Sequence, residues 1–159
     1  MHFIIPLLIL LVIYPKIDKK LLIGLALLTL IPDIDYFISF THRYLFHNIF
    51  FPIVLSLIIY FFSKNIKTSL ISFYYLMSHI ILDFATGAVA LFWPLYQKLI
   101  EIEISLTTGL LFTFKITTLP LKTIKEHMIS TPSYFFTETG IIVALVLTTM
   151  LIIKYKFKK

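Results

Sequence analysis

Seven side chains able to ligate a metal ion or move a proton sit in an otherwise apolar chain: His2, Asp33, Asp35, His42, His47, His79 and Asp83. A carboxylate or imidazole in oily surroundings is costly until it is neutralised, paired or bound to an ion, so this concentration predicts a site. His79 and Asp83 stand at i and i+4, which on a helix puts them on one face a turn apart. That spacing suits two ligands on one ion, a histidine held by a carboxylate, or a plain hydrogen bond between packed helices. Asp33 and Asp35 follow Pro32 and can grip one ion together, or divide so that one meets the ion and the other a ligating histidine. His42 and His47 would be about 140° apart on an ideal helix, so joint ligation requires a turn or a helix start between them. His2 is either a further ligand or a polar terminus. His127, beside Lys125 and Glu126, reads as surface.

The chain has no cysteine, so any metal must take nitrogen and oxygen donors. Zinc leads, with manganese, iron or magnesium as alternatives. A catalytic zinc commonly uses three protein ligands, so seven candidates imply two ions, or one ion with a base and orienting partners.

The elements that must position these groups are apolar. The chain has 159 residues, 59% of them hydrophobic and 14% charged, with a mean hydropathy of +0.97, which predicts one integral membrane domain. The expected fold is an all-α membrane protein with about five transmembrane or partly inserted helices. The candidates are Phe3 to Tyr14, Leu21 to Ile31, Asn48 to Phe62, Ser69 to Phe84 and Gly140 to Ile153, with residues 1–95 and 137–159 forming the bundle. The first stretch lacks a basic leader and a small-residue cleavage site, so it is expected to stay as a mature helix. Residues 96–136 are expected to form an extramembrane cap. Within it, Lys98 to Leu106 alternates apolar and polar, and Thr107-Thr108-Gly109 could turn it back, so a hairpin and an interfacial helix both remain open.

The net charge of +6 does not indicate nucleic acid, because the basic residues are dispersed over loops and the tail. Lys16, Lys19, Lys20, Lys64, Lys67 and the tail instead orient the helices, with these ends cytoplasmic. Strict alternation then sends all seven candidate ligands to one non-cytoplasmic face of the plasma or inner membrane. Arg43, Lys98, Lys115, Lys122 and Lys125 fall on that side too, so an inverted orientation stays open.

The order of these motifs resembles a known family. His2, Pro32-Asp33-Ile34-Asp35, His42-Arg43 with His47, Ser78-His79 with Asp83, then Thr86-Gly87 and Trp93-Pro94 are similar to the YdjM-type, LexA-regulated membrane-bound metal-dependent hydrolases. The likeness covers roughly residues 1 to 110. Where the family reads HRG followed by small hydroxyl residues, this chain has His42-Arg43-Tyr44-Leu45-Phe46-His47-Asn48, which keeps the ligand spacing and changes the backbone between. The resemblance implies ligation by Asp33, Asp35, His42, His47, His79 and Asp83.

The expected function is metal-dependent hydrolysis of a lipid-associated ester, with a membrane lipid or lipid-linked substrate as partner. Asp33 and Asp83 are the expected catalytic carboxylates, and Arg43 either steadies an anionic phosphoryl group or pairs with an aspartate. Two other classes use the same residues: a metal or proton transporter, and a helix bundle stapled by a structural ion. Substrate and oligomeric state are left open by the sequence.

Overall fold

The computed structural model describes residues 2–14, 16–39, 43, 45–84, 87–106, 112–120 and 138–156. His42, Thr86 and His127 lie outside the described residues.

Helix α1 (Ile4–Ile13) leads to α2 (Lys19–Ala26), whose start is capped by Asp18, the side chain accepting from the Lys20 amide at 2.9 Å. The coil then tightens into 3-10 turns at Leu27–Leu30 and Pro32–Ile34 and resumes as α3 (Asp35–Ser39). At the first of these turns the Thr29 hydroxyl donates to the Ala26 carbonyl at 2.7 Å. Helices α4 (Phe50–Ser63) and α5 (Ile66–Phe84) form an antiparallel hairpin. Lys64 takes a left-handed conformation between them, and the Asn65 side chain accepts from the Lys67 amide at 2.9 Å to start α5. Ser69 on α5 donates to the Ser56 carbonyl on α4 at 2.8 Å. Helix α6 (Glu138–Lys156) lies against α1.

Leu10, Leu22, Ala26, Ile71 and Tyr75 form the main core, tying α1, α2 and α5 together. Tyr75 is buried and its hydroxyl donates to the Leu22 carbonyl at 3.0 Å. Burying its ring therefore leaves no unpaired hydroxyl.

The expectation of an all-α fold is overturned by strands β1 (Lys98–Leu106) and β2 (Phe112–Pro120), an antiparallel pair in register from Lys98↔Pro120 to Leu106↔Phe112. Alternation through β1 settles the open choice in favour of the hairpin. The pair is tied to the segment that precedes it. Val89 and Ile100 exchange two backbone hydrogen bonds at 2.8 and 2.9 Å, and Leu99 packs with Ala88 and Ala90.

The five expected transmembrane helices are overturned as well: among the described residues, no helix is long and apolar enough to cross a membrane. Pro15 closely follows α1, and the tightened turn stops α2 at Ala26, so these helices have 10 and 8 residues. The 14 residues of α4 reach about 21 Å, against roughly 30 Å of bilayer hydrocarbon. Helix α5 has 19 residues but carries Lys67 and buries Ser69, Ser72, His79 and Asp83. The apolar part of α6, Gly140–Ile153, is bounded by Glu138 and Lys154 and is again about 21 Å long. The lysine-based assignment of faces used spanning helices and loses that premise.

Candidate metal centre

Three elements bring the acids and histidines together. The coil from Lys19 to Ser39 has an inward stripe at Leu22, Ala26 and Thr29, and Asp33 falls next on it at helical spacing. Asp35, two residues on, is fully buried. His47 is set just before α4 by its neighbour: Asn48 accepts from the Phe50 and Phe51 amides at 3.0 Å and donates to the Leu45 carbonyl at 2.7 Å. His79 and Asp83 come from one face of α5 near its end, both buried.

His47 Nε2 and His79 Nε2 are 3.2 Å apart. Asp83 Oδ2 lies 2.9 Å from the first and 3.3 Å from the second. Asp33 Oδ1 lies 3.3 Å from His79 Nε2 and 3.8 Å from His47 Nε2. Four donors at about 2.0–2.1 Å around a tetrahedral ion stand about 3.3–3.4 Å from one another. His47 Nε2 and His79 Nε2 therefore stand at ligand spacing with either carboxylate, so three of these side chains could hold one ion.

The remaining contacts select the right lone pairs. His47 Nδ1 is 2.8 Å from Asp35 Oδ2, so its N–H donates to the carboxylate and turns Nε2 toward the cluster. His2 Nδ1 is 3.2 Å from His79 Nδ1, the two rings meeting edge to face. Burial lowers the His2 pKa to about 4, so His2 is neutral at pH 7 and can accept the His79 Nδ1–H. His79 is then left with a free pair on Nε2. Of the seven predicted residues, the six that are described take different places, His42 lying outside the described residues. Asp33, His47, His79 and Asp83 converge, whereas Asp35 and His2 orient the two imidazoles. Asp35→Asn is expected to weaken ion binding about 10- to 100-fold without abolishing it, and His2→Ala to do the same, as read by competition with a chelating dye. Wild-type affinity in both variants would remove them from this role.

A second grouping also meets the spacing for an ion, with His2, His79 and Asp83 each offering one atom. It shares the His79 ring with the grouping of Asp33, His47 and His79.

The charge state fits the same occupant. Burial opposes charge on His47, but hydrogen bonds to Asp35 and Asp83 outweigh it and raise its pKa. His79 is likewise opposed by burial yet raised to about 9 by Asp33 and Asp83. Burial also opposes charge on Asp83, but hydrogen bonds from both histidines hold its pKa well below the usual carboxylate range. The Arg43 guanidinium stands beside the same carboxylate, its Nη2 3.6 Å from Asp83 Oδ1. A cation entering here would take the place of protons on the imidazoles.

Arg43 holds its place through an uncommon backbone. Its φ is 65°, and its carbonyl accepts from the Ala90 amide at 3.3 Å. The Ile49 amide donates to the Leu91 carbonyl at 2.9 Å, so the segment clamped by β1 braces both Arg43 and the start of α4. Sequence reading missed this bracing role of residues 88–91 and the capping role of Asn48. The second had a signal, an asparagine directly before an apolar helical run.

No curated protein and no solved structure matches the chain. A family model does, and it extends beyond the motifs that carry the resemblance, through β1, β2 and α6. The chain belongs to the family of YdjM inner membrane proteins, whose model matches residues 1–157.

Proposed function

We propose that this protein is a metal-dependent hydrolase of the membrane that acts on a lipid-associated phosphoester. The convergence of His47 Nε2, His79 Nε2 and Asp83 Oδ2, 2.9–3.3 Å from one another, with Asp33 Oδ1 beside them, carries this reading, because three ligands leave an ion one open position. A divalent ion held there, zinc first among the choices for nitrogen and oxygen donors, would supply Lewis acidity toward water and toward a phosphoryl oxygen.

The residues around it divide the remaining work. Of the four converging side chains only Asp33 is open, at 43% exposure, so substrate and water approach on its side. Asp33 is placed to take a proton from water there, while the buried Asp83 stays ionised between the two imidazoles. Arg43 offers a planar fork of donors to an anionic oxygen beside the cluster, which favours a phosphoester over a neutral amide or carboxylic ester.

The test is metal analysis of the purified full chain together with a turnover assay on phosphatidic acid and isoprenoid phosphates. About one divalent ion per chain and phosphate release are expected. Arg43→Lys is expected to lower kcat about 100-fold while keeping the ion. Wild-type protein without a stoichiometric ion would overturn the reading, and uptake of metal into proteoliposomes without hydrolysis would replace it by transport.

A further inference from the structure

From Lys19 to Ser39 the chain coils in one sense, and the junction residues Leu27, Ile31 and Asp35 all keep right-handed helical dihedrals. This coil carries two opposed stripes. Leu22, Ala26 and Thr29 are fully buried, and Asp33 continues their spacing into the metal centre. Leu30, Ile34, Phe37 and Ile38 are exposed, Phe37 at 77%. Leu30 precedes Asp33 by three residues and Phe37 follows it by four, so both are its neighbours on a helical surface. The apolar stripe therefore borders the open side of the metal centre.

A ligand entering past Asp33 meets two environments in sequence. Outside lies a strip of large apolar side chains. Inside lies the metal centre, and the Arg43 guanidinium, its side chain only 13% exposed, stands at the other carboxylate oxygen of Asp83, 3.6 Å from Oδ1. The matching chemistry is a hydrocarbon chain joined to an anionic head, and membership of an inner membrane family places such molecules within reach. Resting on the metal-centre reading above, we propose that Leu30, Ile34, Phe37 and Ile38 form the track for the hydrocarbon chain of a phosphate-headed bilayer lipid. Its head passes Asp33 to reach the metal centre, whose positive charge Arg43 reinforces from beside Asp83. The apolar strip selects for the chain and the centre selects for the charge, so neither half of the molecule alone binds well.

The test uses the full chain loaded with zinc, in nanodiscs or detergent, with dioleoyl phosphatidic acid and glycerol 3-phosphate as probes. Wild type is expected to prefer the long-chain probe by at least 100-fold. F37S/I38S is expected to lose about tenfold or more for the long-chain probe. The same variant should keep its zinc and its affinity for glycerol 3-phosphate within twofold. L57S/F62S, on exposed positions of α4, is expected to change neither. Leu30→Gln gives a second reading of the track should F37S/I38S fail to fold. Unchanged long-chain affinity in the track variants, with zinc and glycerol 3-phosphate binding intact, overturns the track and leaves the metal reading standing. Equal loss in L57S/F62S also overturns it. Absence of zinc binding in wild type overturns the reading beneath it.

Discussion

Replacing His79 by alanine is expected to reduce ion content from about one divalent ion per chain to none detectable after dialysis. His79 meets four members of the centre. Its Nε2 lies within 3.3 Å of His47, Asp33 and Asp83, and its Nδ1 meets His2 at 3.2 Å. The substitution removes one ligand and releases His2 from its orienting contact, so affinity should fall on the order of a thousandfold. The buried Asp83 would also lose one of its two imidazole neighbours, which raises its pKa and destabilises the metal-free fold. His79→Gln preserves much of the side-chain volume and separates ligation from packing. Metal analysis alongside circular dichroism distinguishes these effects, and wild-type ion content in a folded His79→Ala protein would refute the assigned centre.

Acidification is expected to act nearly as strongly. Without an ion, His47 and His79 hold protons because carboxylates surround them, with the His79 pKa raised to about 9. An entering cation must displace those protons. Apparent affinity should therefore rise about tenfold per pH unit for each proton released, or up to about 100-fold between pH 6 and pH 7. The sign reverses for the metal-free fold. A histidine raised from 6.5 to about 9 contributes stability that is fully present below pH 6.5 and is lost as pH climbs toward 9. Metal-free protein should thus melt at lower temperature at pH 9 than at pH 6.5, while zinc-loaded protein should show the opposite trend. Isothermal titration in two buffers of different ionisation enthalpy counts the protons released, and a count of zero would contradict the proposed exchange.

The chemistry of the centre was legible in residue type and order. Histidines and aspartates in an apolar chain carry a desolvation cost that only pairing or ligation relieves, and the spacing of His79 and Asp83 already put them on one helical face. The hairpin was legible as far as its period, since Ile100, Ile102 and Ile104 alternate with Glu101, Glu103 and Ser105. Hydropathy misled where it was used to count spans. Apolar content says how much surface avoids water, but helix length depends on local breaks such as Pro15 and the turn at Leu27–Leu30. Three of the apolar runs therefore ended as helices of 10, 8 and 14 residues.

Sequence by itself determined which side chains are able to ligate, the exclusion of thiolates and the pairing of His79 with Asp83. The tertiary structure decided which carboxylate joins the pair of imidazoles. Asp33 and Asp35 are indistinguishable as letters, yet the turn after Pro32 sends one toward His79 and buries the other against His47 Nδ1. It also assigned His2 to the back of His79, a contact across 77 positions that no local pattern encodes. The physical reason is the same in both cases. An imidazole has two nitrogens, and only the folded surroundings fix which one carries the proton and which one is left to bind.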